Sequence, residues 1–308
     1  MVKSILITGA TGYLGHFLLR SFCHSGILCY VLIRNSPVTS FNHENIIPIY
    51  SLDPSRFLLS QISVDVVLHL GGPSSHQCDI NYESLLRNSL SQASELVHFI
   101  TKLNITRFFF FSSIHIYGAS DDQYITEQSG LLPTSNYGFL KYELEHYFAK
   151  AFSNTCCLFT SLRLSNIIAP PYHGFQNWNL VFHSFLHSCV KNDQLTIKSN
   201  PLICRDFVSI EFFLYYIHAL LNSTSNPTCL NLTSCVPLSL IDLALLFQHR
   251  SAAHLKVPNQ PIRIITLTPP TPTSCTFYNN NLLTNLFGKV SNNIQLQIDL
   301  SFEYFASL

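Results

Sequence analysis

A short strand followed by three evenly spaced glycines constrains this chain more than any other feature. Residues 4–15 read SILITGATGYLG, where the apolar run at 5–7 predicts a buried strand and the residues after the glycines have helical periodicity. The glycines are Gly9, Gly12 and Gly15. Amides at a helix start attract phosphate, and glycine lets the backbone approach it closely. The segment therefore predicts a pyrophosphate site, although an ordinary tight strand-to-helix turn has the same pattern.

Apolar runs and helical segments alternate along the first half of the chain. The predicted strands are residues 27–34, 46–50, 64–70 and 107–113, and the predicted helices are 82–103 and 136–153. The strand 107–113 reads RFFFFSS and is apolar on both faces, as a central parallel strand should be. This alternation predicts an α/β fold with a doubly wound parallel sheet, whose strands end at one ligand-binding edge.

The regular alternation stops near Asn166, shortly before the sequence Ala169-Pro170-Pro171. Later segments are shorter and richer in Pro, Asn and Ser, with strands predicted at 229–233 and 262–267 and helices at 211–221 and 238–248. We expect residues 1–166 to form a dinucleotide-binding domain. Residues 167–308 are expected to form mainly a smaller substrate-binding region, with some segments returning to the large sheet.

The composition argues against several classes of partner. Lys plus Arg and Asp plus Glu number 17 each, which indicates no general affinity for nucleic acid or acidic membranes. No apolar stretch is long enough to cross a bilayer. The ten cysteines match no zinc-binding spacing, so we expect no metal and ten unpaired thiols. With no recognisable signal peptide, this pattern predicts a cytoplasmic protein.

Tyr137 and Lys141 lie four residues apart in a predicted helix and therefore share a face. A lysine cation favours the phenolate, so we expect the pKa of Tyr137 to lie below its ordinary value of ~10. Such a tyrosine can exchange a proton with a carbinol oxygen while hydride moves to or from a nicotinamide. Alone, the pair is more often an exposed helical pair. Ser113 supports the catalytic interpretation, because it ends a strand at the same edge of the sheet.

Seven segments in order resemble the extended short-chain dehydrogenases/reductases of the NAD-dependent epimerase/dehydratase family, which act on nucleotide sugars. They are TGATGYLG (8–15), VDVVLHLGG (64–72), Asn88, SSIHIYG (112–118), YGFLK (137–141), RLSN (163–166) and RDFV (205–208). The resemblance implies a Rossmann-type fold and, commonly, a homodimer formed through a helical bundle. The predicted helices 82–103 and 136–153 are the candidates for that bundle.

The resemblance also implies roles for matching residues. Tyr137 is the acid/base, Lys141 holds the nicotinamide ribose, and Ser113 orients the sugar oxygen. Asn166 contacts the substrate, and Arg205 binds the nucleotide diphosphate. From the residues alone, Arg205 is more readily a surface charge or a partner of Asp206. The cofactor-binding residues are Gly9, Gly12, Tyr13, Leu14, Gly15, Arg34, Leu70 and Gly71, together with Tyr137 and Lys141.

The end of the second strand bears on the choice of cofactor. Family members usually have an acid there that binds the adenosine ribose, whereas this chain has Ile33 and Arg34. Arginine suits the 2′-phosphate of NADP, so we expect NADP or NAD with a modest preference for NADP. The alternative is that this residue stacks on adenine or points to solvent. Ser51 stands about where many members have an adenine-contacting aspartate, for which Asp53 is a possible replacement.

Departures from the family pattern narrow the chemistry. Ile114 and His115 stand where family dehydratases have Asp-Glu, which argues against a 4,6-dehydratase. His115 is either a second acid/base near pH 7 or, as is more common, a packing or hydrogen-bonding histidine. Trp178 either lines the sugar-nucleotide cleft or caps the core of the smaller region. Ala169 replaces a glycine that the family usually has in a loop near the substrate.

These patterns predict an NAD(P)-dependent C4 epimerase or 4-keto reductase of a nucleotide sugar, in a pathway to surface polysaccharide precursors. Two other hypotheses stay open. One is a reductase of a non-sugar carbonyl, against which Arg205 argues. The other is a dinucleotide sensor without catalysis, against which the intact set of Ser113, Tyr137 and Lys141 argues.

Overall fold

The computed structural model describes residues 2–33, 43–53, 63–118, 122–172, 174–175, 178–191, 194–254 and 262–307. Its strands are β1 (Ser4–Thr8), β2 (Leu28–Leu32), β3 (Ile46–Ile49), β4 (Val66–His69), β5 (Arg107–Ser113), β6 (Tyr124–Ile125), β7 (Leu158–Leu164), β8 (Asn166–Ile168), β9 (Leu195–Ile197), β10 (Cys204–Ser209), β11 (Cys229–Leu232), β12 (Pro237–Ser239), β13 (Ile264–Thr266) and β14 (Phe277–Tyr278). Its helices are α1 (Tyr13–His24), α2 (Ser75–Ile80), α3 (Tyr82–Lys102), α4 (Asn136–Phe152), α5 (Val181–Val190), α6 (Ile210–Asn222), α7 (Leu240–His254), α8 (Asn281–Phe287) and α9 (Ile294–Ala306).

Within the described residues, seven parallel strands form one sheet in the order β11-β7-β5-β4-β1-β2-β3. Helices α1 and α6 pack on one face, and α3 and α4 pack on the other. The predicted α/β fold with a doubly wound parallel sheet is confirmed. The elements predicted in the first half of the chain all form, with nearly the predicted bounds.

The central strand β5 shows why both faces of the sheet are covered. Side chains alternate across a strand, so neighbouring phenylalanines face opposite layers. Phe109 and Phe111 pack with α1 and α6, whereas Phe108 and Phe110 pack with α3 and α4. All four are at most 3% exposed, so β5 can exist only between two helical layers.

A smaller set of elements forms a second core beyond the edge of the large sheet. Strands β12, β10 and β8 form one small sheet, and β13 pairs with β9. The apolar faces of α5, α7 and α9 pack together beside them. One later strand, β11, joins the large sheet instead, where it pairs with β7. The chain therefore returns to the large sheet after residue 166.

Strands β7, β8 and β10, which lie in the candidate site region, were not predicted as strands. Strand β7 contains the buried polar residues Thr160, Ser161 and Arg163, which interrupt the apolar run that would otherwise indicate a buried strand. Thr160 donates to the carbonyl of Pro227, and Ser161 donates to Glu145. Buried polar groups are tolerated when they are hydrogen-bonded, but these distant partners cannot be inferred from local pattern. Strand β10 is similar, with Arg205 and Asp206 at its second and third positions.

The expectation of ten unpaired thiols is wrong for one pair. Cys204 and Cys275 form a disulfide across 71 residues of sequence, with their Cα atoms 5.3 Å apart. The pairing arises because the segment before β14 passes the start of β10, which spacing alone does not reveal. The other eight cysteines are free thiols within the described structure.

The described part of the chain contains no helix of sufficient length and apolarity to traverse a membrane. It also contains no cluster of three or more His, Cys, Asp or Glu side chains arranged to bind a metal.

Candidate functional site

The turn between β1 and α1 requires glycine for two reasons. Gly9 has a φ of +73°, and a Cβ on it would lie 2.6 Å from the amide nitrogen of Gly71. A Cβ on Gly15 would lie 2.5 Å from the carbonyl oxygen of Gly9. Gly12 caps α1 without a side chain, so the first amides of the helix face open space. This arrangement fits a pyrophosphate at the positive end of the helix dipole.

The end of β4, with the following Leu70 and Gly71, meets the same turn. The Leu70 amide donates to the carbonyl of Thr8 at 3.1 Å, and the Gly71 amide donates to the Thr8 hydroxyl at 3.3 Å. Strands β1 and β4 are therefore held together where both end. Their ends border the phosphate turn, which is where a dinucleotide binds in a doubly wound fold.

A glycine in α4 lets the start of this helix approach the turn that follows Ser113. Ser113 ends β5 and is 5% exposed, and its hydroxyl accepts a hydrogen bond from the amide of His115. A Cβ on Gly138 would lie 2.6 Å from the carbonyl oxygen of His115, so only glycine lets α4 approach this turn. As a result, the ring of Tyr137 lies against the ring of His115, with their centroids 5.8 Å apart.

Lys141 lies one helical turn beyond Tyr137 and is buried. Its ammonium donates to the carbonyl of Phe111 at 2.8 Å and lies 5.7 Å from the centroid of the Tyr137 ring. Burial lowers the pKa of Lys141 to about 8. Burial, and secondarily Cys78, raises the pKa of Tyr137 to about 12. The expected lowering of the tyrosine pKa is therefore wrong, because desolvation of the phenolate dominates.

A buried ion pair braces α4 against the large sheet. Glu145, two turns beyond Tyr137, pairs with Arg163 of β7 at 2.5 Å. Arg163 also donates to the Tyr117 hydroxyl at 2.8 Å, and that hydroxyl donates to Asn231 of β11 at 2.6 Å. Removing one member of such a network leaves a buried polar group without its partner. The network therefore fixes the helix that carries Tyr137.

The substrate-side residues meet the start of α1 at one cavity of about 300 Å³. Its walls include Tyr13, Leu14, Asn166 and Arg205. Asn166 donates to the carbonyl of Asp206 at 2.8 Å, which orients its side chain. Two of the predicted cofactor residues, Tyr13 and Leu14, thus share one cavity with the predicted substrate residues Asn166 and Arg205.

Arg205 is exposed on β10, and desolvation lowers its pKa below the ordinary value. Asp206 is not its partner. The Asp206 carboxylate is 2% exposed and instead accepts from the amide and the hydroxyl of Ser234, the latter at 2.7 Å. Within the described residues, the guanidinium of Arg205 makes no hydrogen bond or salt bridge. Its charge is therefore free to bind an anion.

Two further wall residues of this cavity, His183 and Leu180, were not predicted from the sequence. His183 of α5 is fully buried and donates through Nε2 to the carbonyl of Ala169 at 3.0 Å. The Tyr13 hydroxyl donates to the same carbonyl at 3.1 Å. Leu180 precedes α5 and also lines the cavity. Helix α5 itself was not predicted, so these residues had no structural context.

The sequence left open the roles of Arg34, Asp53 and Trp178, and the structure bears on them to different degrees. Arg34 lies outside the described residues, while Ile33 is 3% exposed and belongs to the core. The Asp53 amide donates to the Ser51 hydroxyl, which orders this candidate adenine segment. Trp178 packs against Phe175 and against Phe305 of α9, which favours a role as a cap on the smaller core.

Proteins that are similar to this chain include the following curated protein and two solved structures. ADP-L-glycero-D-manno-heptose-6-epimerase of Brachyspira hyodysenteriae (strain ATCC 49526 / WA1) is 21% identical over 220 residues, 67% of this chain and 68% of that protein. UDP-glucuronic acid 4-epimerase from Bacillus cereus, in complex with UDP-glucuronic acid and NAD, matches with a TM-score of 0.80 at 19% identity over 99% of each chain. UDP-glucose 4-epimerase from Thermotoga maritima, with UDP-glucose, matches with a TM-score of 0.81 at 18% identity over 99% of each chain.

The low identities mean that the solved structures establish a shared fold, and the family model goes further. It is described as the NAD dependent epimerase/dehydratase family and matches residues 5–231. That range contains the glycine turn, the set of Ser113, Tyr137 and Lys141, and Arg205. It covers well over half of the 308 residues. The chain belongs to the NAD dependent epimerase/dehydratase family.

Proposed function

We propose that this protein is an NAD(P)-dependent epimerase of a nucleotide-activated sugar, acting by hydride transfer at the carbinol carbon C4. The observation that carries the proposal is the close approach of Gly138 to the carbonyl of His115. That approach puts Tyr137 at the edge where β5 ends in Ser113. Two hydroxyls at one edge of the sheet, beside a glycine turn for pyrophosphate, suit proton transfer at a carbinol next to a dinucleotide.

Each residue has a task in this mechanism. When bound, the dinucleotide supplies a two-electron acceptor and donor of hydride. Gly9, Gly12 and Gly15 hold its pyrophosphate, and Lys141 holds the nicotinamide ribose. Tyr137 moves the proton of the C4 oxygen while the Ser113 hydroxyl binds the same oxygen. Tyr137 is protonated at neutral pH, and burial raises its pKa further, to about 12, so in the reduction step it donates a proton to the C4 carbonyl oxygen.

The substrate class follows from the cavity that holds Arg205 and Asn166. A guanidinium without a protein partner suits a diphosphate, since it offers a planar pair of donors. The cavity runs from Arg205 to the start of α1, so a diphosphate held by Arg205 would lie near the proposed pyrophosphate turn of the cofactor. Similar proteins are named as epimerases of UDP-sugars and of an ADP-sugar, which supports a nucleotide sugar as substrate.

Three of the similar proteins are named as epimerases and none of these three as a reductase, which supports epimerisation over reduction. The second candidate is a 4-keto reductase that uses NADPH, and it rests on Arg34. The variant Arg34→Asp tests it. If Arg34 binds the 2′-phosphate, this change shifts the preference from NADPH towards NADH, and equal affinities before and after exclude that role.

We further propose the division of the chain at residue 166, a cytoplasmic homodimer through α3 and α4, and a role in making surface polysaccharide precursors. The division rests on the change of pattern after Asn166, and the dimer and the pathway rest on the family resemblance. The cytoplasmic location rests on the eight cysteines that remain free thiols beside the one disulfide. Analytical ultracentrifugation of the protein tests the dimer. A charged substitution on the exposed Phe139 of α4 should then yield monomers.

The central experiment is to denature the purified protein and identify any released dinucleotide by mass spectrometry. The native protein is then incubated with UDP-glucose, UDP-N-acetylglucosamine, UDP-glucuronic acid and an ADP-heptose. An epimerase retains stoichiometric NAD and forms a new diastereomer without net oxidation. Consumption of added NADPH identifies the reductase instead. A protein that binds neither dinucleotide and converts none of the sugars contradicts both.

A further inference from the structure

The strongest unassigned feature of the site is His115, which lies between two residues of the proposed mechanism. It belongs to a short 3₁₀ turn, Ile114–Ile116, directly after Ser113. Ile114 and Ile116 are buried, whereas His115 between them is exposed. The backbone at this position is fixed on both sides, by the Ser113 hydroxyl and by the close packing of Gly138.

The groups that face the imidazole belong to the sugar and phosphate sites. The ring of Tyr137 from α4 meets it nearly edge-on, at an interplanar angle of 79°. Arg205 from β10 is close enough for its charge to act on the imidazole. A nucleotide sugar with its diphosphate at Arg205 and its C4 oxygen at Tyr137 therefore passes next to His115.

The imidazole is in the state that a base requires. Desolvation and, secondarily, the charge of Arg205 lower the pKa of His115 below its ordinary value. The ring is therefore neutral at pH 7, with a lone pair on one nitrogen. Among the described residues, neither ring nitrogen hydrogen-bonds to protein. A histidine with a structural role normally makes at least one hydrogen bond to the protein through a ring nitrogen, as His183 does to the carbonyl of Ala169.

We propose that His115 is a second catalytic acid/base, which removes and returns the hydrogen on the sugar carbon next to the C4 carbonyl. This proposal rests on the proposed function, because that hydrogen becomes acidic only when C4 is a ketone. It extends the reaction from C4 to the adjacent carbon, C3 or C5. The protein would then exchange, and through re-protonation from the other face invert, a centre that hydride transfer alone does not touch.

The step balances without an added oxidant or reductant. The His115 lone pair takes the proton, the electrons of the broken C–H bond form a C=C bond, and the carbonyl π electrons move to O4. The resulting oxyanion accepts hydrogen bonds from the hydroxyls of Ser113 and Tyr137. The imidazolium exchanges its proton with solvent through the exposed side of the ring. Return of a proton to carbon restores the ketone and the neutral imidazole.

The experiment uses a sugar that is already a ketone, so that proton transfer is observed without hydride transfer. UDP-4-keto-6-deoxyglucose and its dTDP analogue are incubated with the protein in D₂O, and the sugar is followed by mass spectrometry and proton NMR. We expect a gain of deuterium at C3 or C5, at least ten times faster than without protein. No gain above the protein-free rate with either compound overturns the proposal.

Variants separate catalysis from folding and from simple binding. His115→Asn and His115→Gln retain a hydrogen-bonding side chain on an exposed site, and we expect each to lose the exchange while its Tm and its affinity for the keto sugar hold. The matched control is His146→Asn, an exposed histidine on α4 whose loss should leave exchange unchanged. Exchange that persists in folded His115→Asn overturns the proposal. C4 epimerisation by wild type without any deuterium gain overturns it too, while leaving the proposed function standing.

Discussion

The hydroxyl of Tyr13 and the Nε2 of His183 both donate a hydrogen bond to the carbonyl oxygen of Ala169, at 3.1 and 3.0 Å. Tyr13 is the first residue of α1, which starts at the phosphate turn, and His183 lies in α5 of the smaller core. One carbonyl therefore ties the predicted cofactor site to the substrate side. Burial lowers the pKa of His183 to about 4, so this donor is neutral at working pH.

We expect Tyr13→Phe to weaken this tie without removing the aromatic packing. The loss of one hydrogen bond should lower the free energy of unfolding by about 1 kcal/mol. Affinities for dinucleotide and for nucleotide sugar should both fall, since α1 and α5 lose a shared contact. Urea denaturation and binding titrations measure these effects. Tyr172→Phe is the matched control, and an equal effect there would contradict the role of the Ala169 carbonyl.

Tyr137→Phe should lower turnover by roughly 10²- to 10⁴-fold, the range for loss of a general acid/base. The dinucleotide affinity should stay nearly unchanged, because Lys141 still holds its bond to the Phe111 carbonyl. Single-turnover kinetics and a cofactor titration measure the two quantities. Tyr142→Phe, on the same helix, is the control. Undiminished turnover in the Tyr137 variant would show that Tyr137 is not the acid/base.

Gly138→Ala should reduce activity through geometry alone. Its new Cβ would clash with the His115 carbonyl oxygen and push α4 away from the turn that holds Ser113. Overpacking of this kind costs about 1–3 kcal/mol of stability. Gly130→Ala is the control, because no atom lies within 4 Å of the added Cβ. If both variants keep full turnover, the close approach of α4 is not needed for catalysis.

Arg205→Met should raise the KM for a nucleotide sugar at least tenfold and leave the fold intact. Because Asp206 has Ser234 as its partner, the loss of the neighbouring guanidinium leaves no buried carboxylate unpaired. Arg205→Lys should recover only part of the affinity, since an ammonium lacks the planar pair of donors. Steady-state kinetics and thermal melting test this. A lower Tm with an unchanged KM would identify Arg205 as structural.

The buried Lys141 should make stability depend on pH in the alkaline range. Its pKa is about 8 in the folded protein against the ordinary 10.5. Between these values the unfolded chain binds a proton that the folded chain does not, so the free energy of unfolding rises with pH, by at most about 3 kcal/mol. Below pH 8 this increment is absent.

The variant Lys141→Met isolates that contribution, because the other titrating groups are common to both proteins. The stability of wild type relative to the variant should increase from pH 8 to pH 10. Urea denaturation at several pH values measures it. Parallel pH profiles for the two proteins would show that Lys141 keeps its ordinary pKa when folded.

The apolar pattern was sufficient for six of the seven strands described in the large sheet, because strands such as β1 and β5 are buried on both faces and are apolar along their length. It failed for β7 and β10, whose polar side chains bond to residues far along the chain, such as Ser161 to Glu145. Local sequence contains no trace of such partners. The disulfide between Cys204 and Cys275 escaped prediction for the same reason.

The candidate site residues could be proposed from sequence motifs, but the hydrogen bonds and pKa shifts of these residues could not be predicted from the same motifs. The spacing of Tyr137 and Lys141 predicts a shared helix face, and the two groups do meet. The direction of the tyrosine pKa was missed, since it depends on how completely the packed structure removes water. His183 could not be predicted, because its partner is a backbone carbonyl. Every residue has a backbone carbonyl, so the sequence does not show which one a side chain will bond.

The bond from Tyr117 to Asn231 has a consequence for the order of synthesis. These residues are 114 positions apart, and Tyr117 closes the turn that begins at Ser113. A nascent chain that has just released its first 166 residues from the ribosome holds every proposed catalytic side chain, yet lacks the strand that secures their turn. Because domains tend to fold as units during translation, this site can reach its final arrangement only after residue 231 has emerged.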